Sequence, residues 1–498
     1  MRFLATTALI AIVGTAHALV HGSFQCCIAL SQAGLGVTYP GEPAYEASVG
    51  SHWSIAARIR PTCILQPETT QDVSLAVSTL VKPTSSMPCQ FAVRSGGHIT
   101  WAGAASIQDG VTIDLSLMSA VTYNKAVDTV SIGPGARWGQ VYDTLDKIGV
   151  SVAGCRAASV GVGGLILSAG GNSFYAGRIG FVCDNVAQFE VVLADGDIVI
   201  ASPEINSDLF KALKGGSNNF GIVTKFDMYT IGGDGKLWGG VVTYPPSTSA
   251  KQISAFVNFV DNIENDPYAS AIPIWYYNST LGQTIVLNAF DYTKPVVAPP
   301  AFEEYLAIPG NTSDSLRIAD MTNLSEELEQ TPGFRDVFST VTFVNDGQVL
   351  HKMLELRDYT ISYLTDVSSK WAMSNIIQPI PTIFAKNGVE RGGNVLGLDR
   401  ATENLVLLQT FLAWDDKAED KIFRKAGTEL TNKLSAYAKS LGKDNEYLYL
   451  AYALDNQDPL KSYGPENVQH MKNVAQKYDP LGIFQTMVPG GFKITKVV

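Results

Sequence analysis

Positive charge is scarce in this chain: 36 Lys and Arg stand against 47 Asp and Glu over 498 residues. No basic run exists that could follow a phosphodiester backbone, which argues against nucleic acid as a partner. Long apolar runs are missing as well. No segment reaches the roughly 20 apolar residues that span a bilayer, so no membrane partner is expected. The six histidines are scattered, and the six cysteines show no C-x-x-C spacing, so no metal site is expected. The sequence also lacks a G-x-x-x-x-G-K-[ST] phosphate loop and a G-x-S-x-G nucleophile elbow. Gly161-Val-Gly163-Gly-Leu-Ile fails at the third glycine of a dinucleotide fingerprint, with no acidic residue at the expected distance.

What is present begins with an export signature. Residues 1–18 read as a signal peptide: Arg2 is the positive end, Ala8 to Val13 the apolar stretch, and Ala16-His17-Ala18 the cleavage site. Sequons at Asn278, Asn311 and Asn323 agree with a secreted glycoprotein. Cys26, Cys27, Cys63 and Cys89 are expected to pair in an oxidising compartment. Adjacent Cα atoms lie about 3.8 Å apart, shorter than the roughly 4.4–6.8 Å of a disulfide. A Cys26–Cys27 bond is therefore disfavoured, and each of the two joins either Cys63 or Cys89.

The length predicts two to three lobes. From Thr62 to Ile231, short apolar runs alternate with helices and glycine turns, as in an α+β or α/β lobe. Strands are expected from Cys63 up to Pro67, which stops the first, around Phe91–Val93, at Val111–Leu115 and at Thr129–Ile132. Thr69–Leu80 is expected to be helical, with Thr69 or Thr70 as N-cap and Val73, Leu75, Ala76 and Leu80 as its stripe. A second helix over Arg137–Ile148 would bury Trp138, Val141, Leu145 and Ile148. Asp195-Gly196 marks a hairpin. Beyond Gly232 glycine thins, helices lengthen (Thr248–Asn265, Asp416–Leu441) and aromatic residues gather at Trp275-Tyr276-Tyr277, which marks a second lobe. From Tyr447 a strand-and-turn texture returns.

The most telling segment is Arg94-Ser95-Gly96-Gly97-His98, directly after the strand-like Gln90–Val93. Two glycines allow a tight turn whose N–H groups can meet a phosphate. Arg94 adds a forked cation, and His98 ends the turn with a nucleophilic imidazole. A second dense glycine tract runs from Val160-Gly161-Val-Gly163-Gly164 to Gly170-Gly171, as if its backbone were pressed against something large and flat.

These stretches occur in a fixed order with Pro61-x-Cys63-Ile-x-x-Pro67, Phe181-x-Cys183-Asp-Asn-Val186, Asp208-Leu-Phe210, Asn219-Phe-Gly-Ile-Val-Thr224 and Tyr478-Asp-Pro-x-Gly-Ile-Phe-Gln485. Together they resemble the berberine-bridge-enzyme-like FAD-linked oxidases, of the vanillyl-alcohol-oxidase type, along nearly the whole chain. The resemblance implies a two-lobe α+β fold: a PCMH-type FAD-binding domain with an inserted α+β substrate domain. It places an N-terminal segment at 19–58, the FAD domain at 59–231, the substrate domain at 232–446 and a returning C-terminal segment at 447–498.

It further implies FAD bound covalently through His98, with Arg94, Ser95, Gly96 and Gly97 at the pyrophosphate. Ser159, Val160, Gly161, Gly163 and Gly164 would run along the flavin, with Asn219 to Ile222, Gly221 included, on the adenine side. Two departures from the family stand out. Ala157 occupies the position of a second, cysteinyl link, and Cys155 lies two residues earlier. Tyr449-Leu-Ala451-Tyr452-Ala replaces a Tyr-Leu-Asn-Tyr-Ala pattern, leaving Tyr452 as the candidate base. A phenol acts as a base near neutral pH only with a cation or hydrogen-bond donors at its oxygen.

Val160 stands where a small residue admits oxygen, which implies an oxidase that passes hydride to FAD and electrons to O2, giving H2O2. The substrate is expected to be a small molecule, first an aromatic or secondary-metabolite alcohol and second a sugar hemiacetal. A biosynthetic dehydrogenase or oxidative cyclase is the rival enzyme. A secreted flavin-binding protein without catalysis is the alternative of another class.

Overall fold

The computed structural model describes residues 22–82, 88–233 and 235–498; the candidate signal peptide lies outside them. The fold is mixed α+β, built on three sheets.

The first sheet has four strands in the order Val37–Thr38, Cys63–Leu65, Val111–Asp114, Phe91–Arg94. Its last three are mutually parallel. The helix Thr70–Val81 makes one of the crossovers. Its N-cap is Thr69, whose hydroxyl accepts from the Asp72 N–H while the Asp72 carboxylate returns the bond to Thr69. Val73, Ala76, Val77 and Leu80 are its buried stripe. Leu75, expected in that stripe, is 39% exposed because Ala76 and Val77 already fill the inward arc. Residues 22–32 form a helix held to this sheet by Cys26–Cys89 and Cys27–Cys63, the pairing that spacing had left open.

The second sheet is antiparallel, in the order Val121–Asn124, Thr129–Ile132, Ile222–Tyr229, Val186–Val192, Ile198–Ala201. The Asp195-Gly196 hairpin is present, with Val192 opposite Ile198 and Gly196 at φ +92°. The helix Trp138–Asp146 stops before Ile148, which is 56% exposed rather than part of the buried face.

The third sheet gathers nine antiparallel strands, all drawn from residues 236–445. Trp275-Tyr276-Tyr277 lies in one of them, Ala269–Asn278. Long helices were the visible signal here, yet the sheet is the frame. Its long strands are buried along both faces, and Leu405–Trp414 reads as a nearly continuous apolar run for that reason. Ser249–Asn262, Gly347–Thr365 and Asp420–Ser440 are helices of this region. The first and third bond to odd-numbered strand positions, through Trp275 Nε1 to Ser249 Oγ and Ser339 Oγ to Gly427 O. Alternation then turns Ile272, Ile274, Phe338, Ile376, Gln378 and Gln409 to the opposite face. Ile274, Ile376 and Gln409 form one directly paired row across three strands.

The C-terminal stretch corrects the expected strand-and-turn texture. It is helical at Pro459–Ser462, Pro465–Tyr478 and Ile483–Thr486, and residues 447–498 contain no strand. Only Met471, Val474 and Ala475 of Pro465–Tyr478 are buried, so its stripe is too narrow to show as a helical period. This stretch bonds back to the first sheet, where Phe91 N–H donates to Met487 O at 2.8 Å, and to the helix Ser207–Leu213, where Lys477 pairs with Asp208 at 2.7 Å.

The two disulfides close segments with sequence separations of 63 and 36 residues. Loop closure alone assigns each about 4 kcal/mol, and measured losses on removing such bonds run about 2–5 kcal/mol. A Cys27→Ser, Cys63→Ser double variant is expected to melt well below the parent in a thermal scan without reductant. Adding reductant should lower the parent's melting temperature further still.

Candidate active site

A cavity of about 320 Å³ runs between the glycine turns and the face of the nine-stranded sheet that carries Ile274, Ile376 and Gln409. Ser95, Gly96, Gly97 and His98 line it from one loop; Ser159, Val160, Gly161, Gly163 and Gly164 line it from another. Gly221 and Ile222 line it at one end, Tyr452 at the other. Of the site residues named from sequence, Arg94 and, in the stretch Asn219 to Ile222, Asn219 and Phe220 do not line this space; the others do.

Arg94 is one exception, and the strand explains why. Val93 and Ser95 line the cavity, so the residue between them points the other way. Its guanidinium is 2% exposed. It donates to Ser48 O at 2.6 Å and Ser51 Oγ at 2.5 Å, and pairs with Asp114 at 3.4 Å. Arg94 therefore supports the turn from behind rather than meeting a ligand. Gly97 sits over it at φ +64°, where an added Cβ would lie 2.7 Å from Arg94 Nε.

The two glycine loops touch backbone to backbone. A Cβ on Gly96 would lie 2.5 Å from Gly161 Cα, and one on Gly161 would lie 2.5 Å from Gly96 N. Arg137 locks this contact by donating to Gly96 O at 2.7 Å and to Ser159 O. Gly163 approaches Ser95, where a Cβ would come within 3.1 Å of the hydroxyl. Gly164 is different: a Cβ there meets nothing within 4 Å and projects into open space. It lies in the first turn of the helix Val162–Ala169, an end that favours anions.

His98 stacks on Trp53 at 4.7 Å and 15°, and its Nε2 lies 3.3 Å from Ser159 Oγ. Burial first and the Arg137 cation second push its pKa down to about 4, so the ring is neutral at physiological pH. Cys155 also lines the cavity as a free, buried thiol, and burial raises its pKa. Ala157 lines the cavity as well.

At the opposite end the assignment of Asn219 needs correcting. Its amide donates to Gly216 O and Phe492 O and accepts from Ile494 N–H, which ties down the C-terminal stretch. The neighbouring Asn218 lines the cavity instead. Asn218 Oδ1 and Trp101 Nε1, both of cavity-lining residues, are buried and unpartnered. Unmet groups of this kind suit a polar ligand.

Tyr452 Oη lies 3.4 Å from Arg156 Nη2 and 3.4 Å from Gln378 Nε2, and Arg156 donates to Gln378 Oε1 at 2.5 Å. Two donors at one phenol oxygen stabilise negative charge developing there. Arg137, Arg156, Gln378 and Gln409 were not found from sequence. Arg156 had one visible signal, a lone cation in the small-residue run Val152-Ala-Gly-Cys-Arg-Ala-Ala. The glutamines sit in mostly apolar strands that also carry Ser374, Asn375 and Thr410, so nothing local singles them out.

An elongated cavity with a glycine cradle, a Cβ-free opening at Gly164 and unpartnered donor and acceptor groups fits a dinucleotide-sized cofactor such as FAD. Residues 61–202 match the FAD binding domain family. The FAD-dependent monooxygenase sdcF of Emericella nidulans is 43% identical over 95% of this chain and 98% of its own length. The BBE-like 1 protein of Physcomitrella patens superposes with a TM-score of 0.74 at 19% identity, over 92% of this chain and 97% of that one. A glucooligosaccharide oxidase from Acremonium strictum, described with 6-S-cysteinyl, 8α-N1-histidyl FAD, superposes with a TM-score of 0.72 at 19% identity, over 92% and 97%.

Two glycine variants separate packing from ligand space. Gly161→Ala forces the loops apart and is expected to cost about 1–3 kcal/mol in denaturant unfolding. Gly164→Ala is expected to leave unfolding nearly unchanged while lowering the flavin absorbance per mole of protein. A pH titration tests His98 and His52, whose pKa burial and Arg94 push down to about 3. The unfolded chain protonates near 6.5 and the folded sites only near 4 and 3, so stability falls as pH drops below about 6.5. The His98 ring signals in NMR should stay fixed from pH 8 to pH 5.

Proposed function

The chain belongs to the berberine-bridge-enzyme-like FAD-linked oxidoreductases, and on that premise we propose that it is an oxidase holding FAD covalently through His98. The observation that carries this reading is that His98 and Tyr452 line one cavity, with the glycine cradle beside the first and the apolar sheet face beside the second. When bound, FAD supplies a hydride acceptor that O2 can reoxidise. The neutral imidazole of His98 has the lone pair needed for attachment, and its stacking on Trp53 fixes the ring plane. Ala157 offers no sulfur, which makes His98 the single tether of this reading.

In this reading Tyr452 takes the substrate proton as a phenolate, which the Arg156 and Gln378 donors at its oxygen are placed to hold, and becomes the neutral phenol. Ile272, Ile274, Ile376 and Phe338 keep water from the reacting end. Val160, on the cavity wall, leaves a path for O2, and H2O2 is the second product. We place the FAD-binding unit at 59–231 with 447–498, and the substrate unit at 232–446. Export fits the two disulfides and the exposed Asn311 and Asn323.

A second reading, insertion of one oxygen atom into the substrate, is favoured by the names of curated relatives such as sdcF. The two readings part on products. An oxidase yields one H2O2 per substrate and no 18O in the product from 18O2; a monooxygenase yields labelled product. For the tether, His98→Ala is expected to lose the yellow colour that otherwise survives acid precipitation. Tyr452→Phe is expected to keep its flavin and lose about 10²–10⁴-fold in kcat.

A further inference from the structure

Among the residues lining the cavity, Arg156 is the only one with a charged side chain; no Asp, Glu or Lys is among them. Its side chain is 9% exposed and forms no ion pair among the described residues. A buried cation without a carboxylate is costly unless something else neutralises it. Among the described residues only Nη2 has hydrogen-bond partners, the Gln378 amide oxygen and the Tyr452 hydroxyl, and neither is a carboxylate. Asp291 shares this face of the sheet; burial and then Glu327 push its carboxyl well above the usual range while Arg156 pulls it the other way, and among the described residues no hydrogen bond or ion pair joins the two. The remaining wall is mostly aliphatic and aromatic, with Ile272, Ile274, Ile376, Leu328 and Phe338 beside the polar Gln330 and Gln409.

We propose that Arg156 determines substrate specificity by receiving an acidic oxygen, so that the substrate is an apolar molecule carrying one phenol, enol or carboxylic acid group. This deepens the oxidoreductase reading above and rests on it. A guanidinium matches an oxyanion with a planar fork of donors. The same charge repels an amine. A sugar needs many polar partners, whereas here Gln330, Gln378, Gln409 and Tyr452 are few among mostly apolar side chains around the cation. The bound oxyanion also sits beside Tyr452, which is how the reacting part of the substrate would come within reach of the base.

The test uses the holoenzyme and matched probes in calorimetric titrations: benzoate against benzamide, 4-nitrophenolate at pH 8 against 4-nitroanisole, and benzylamine as the cation. At least one anion is expected to bind about tenfold or more tightly than its neutral partner, in line with a charge-assisted hydrogen bond. Whichever anion shows the preference identifies the acid as carboxylic or phenolic. Arg156→Gln should abolish the preference, and Arg156→Lys should retain part of it. Gln378→Glu, which sets a carboxylate against Nη2, should abolish it too and serves if Arg156→Gln does not fold.

Equal binding of both anions and their neutral partners to the parent would overturn the proposal. So would a preference that persists in Arg156→Gln or, where that variant does not fold, in Gln378→Glu. Flavin absorbance is read in the same samples. Missing flavin refutes the oxidase reading, while indifference to charge with flavin in place refutes only the role of Arg156.

Discussion

The contact between the backbones of Gly96 and Gly161 is the constraint on which the rest of this site depends. Two loops more than sixty residues apart in sequence meet so closely that neither position admits a Cβ. Arg137 holds them by bonding to a carbonyl on each side. From that junction His98 projects toward Ser159, and the turn leading to Gly164 opens into the cavity. If the loops separated, the histidine, the cradle and the helix end beside Gly164 would lose their common frame together.

Buried charge divides into two kinds around this junction. Arg94 is fully enclosed and compensated by Asp114, the Ser48 carbonyl and Ser51, so it does structural work. Arg156 is nearly as enclosed but has no carboxylate, and it faces the space a substrate enters. Both are arginines beside small residues, and only their partners tell them apart. The same holds for Asn218 and Asn219: one faces the cavity with an unmet carbonyl, and the other is spent on the C-terminal stretch.

Much of the first two sheets was legible because their signals are local. The capping box at Thr69, the Asp195-Gly196 turn and the strand before Ser95 each depend on neighbours in sequence. The nine-stranded sheet was not legible. Its strands are covered on both faces and lose the alternation that would announce them, so the helices around them dominated the pattern. The C-terminal helices were hidden for the opposite reason, since so few of their residues are buried.

Sequence by itself determined the family, the cofactor class and the glycine turn ending in His98, because these rest on residue types at fixed spacing. It also disfavoured a Cys26–Cys27 bond from covalent geometry alone. The tertiary structure decided the pairing Cys26–Cys89 and Cys27–Cys63, the inward turn of Arg94, and the meeting of Arg156, Gln378 and Tyr452. Those last three lie more than 70 residues from one another in the chain. Their chemistry comes from strand register and loop contact, and no local pattern encodes either.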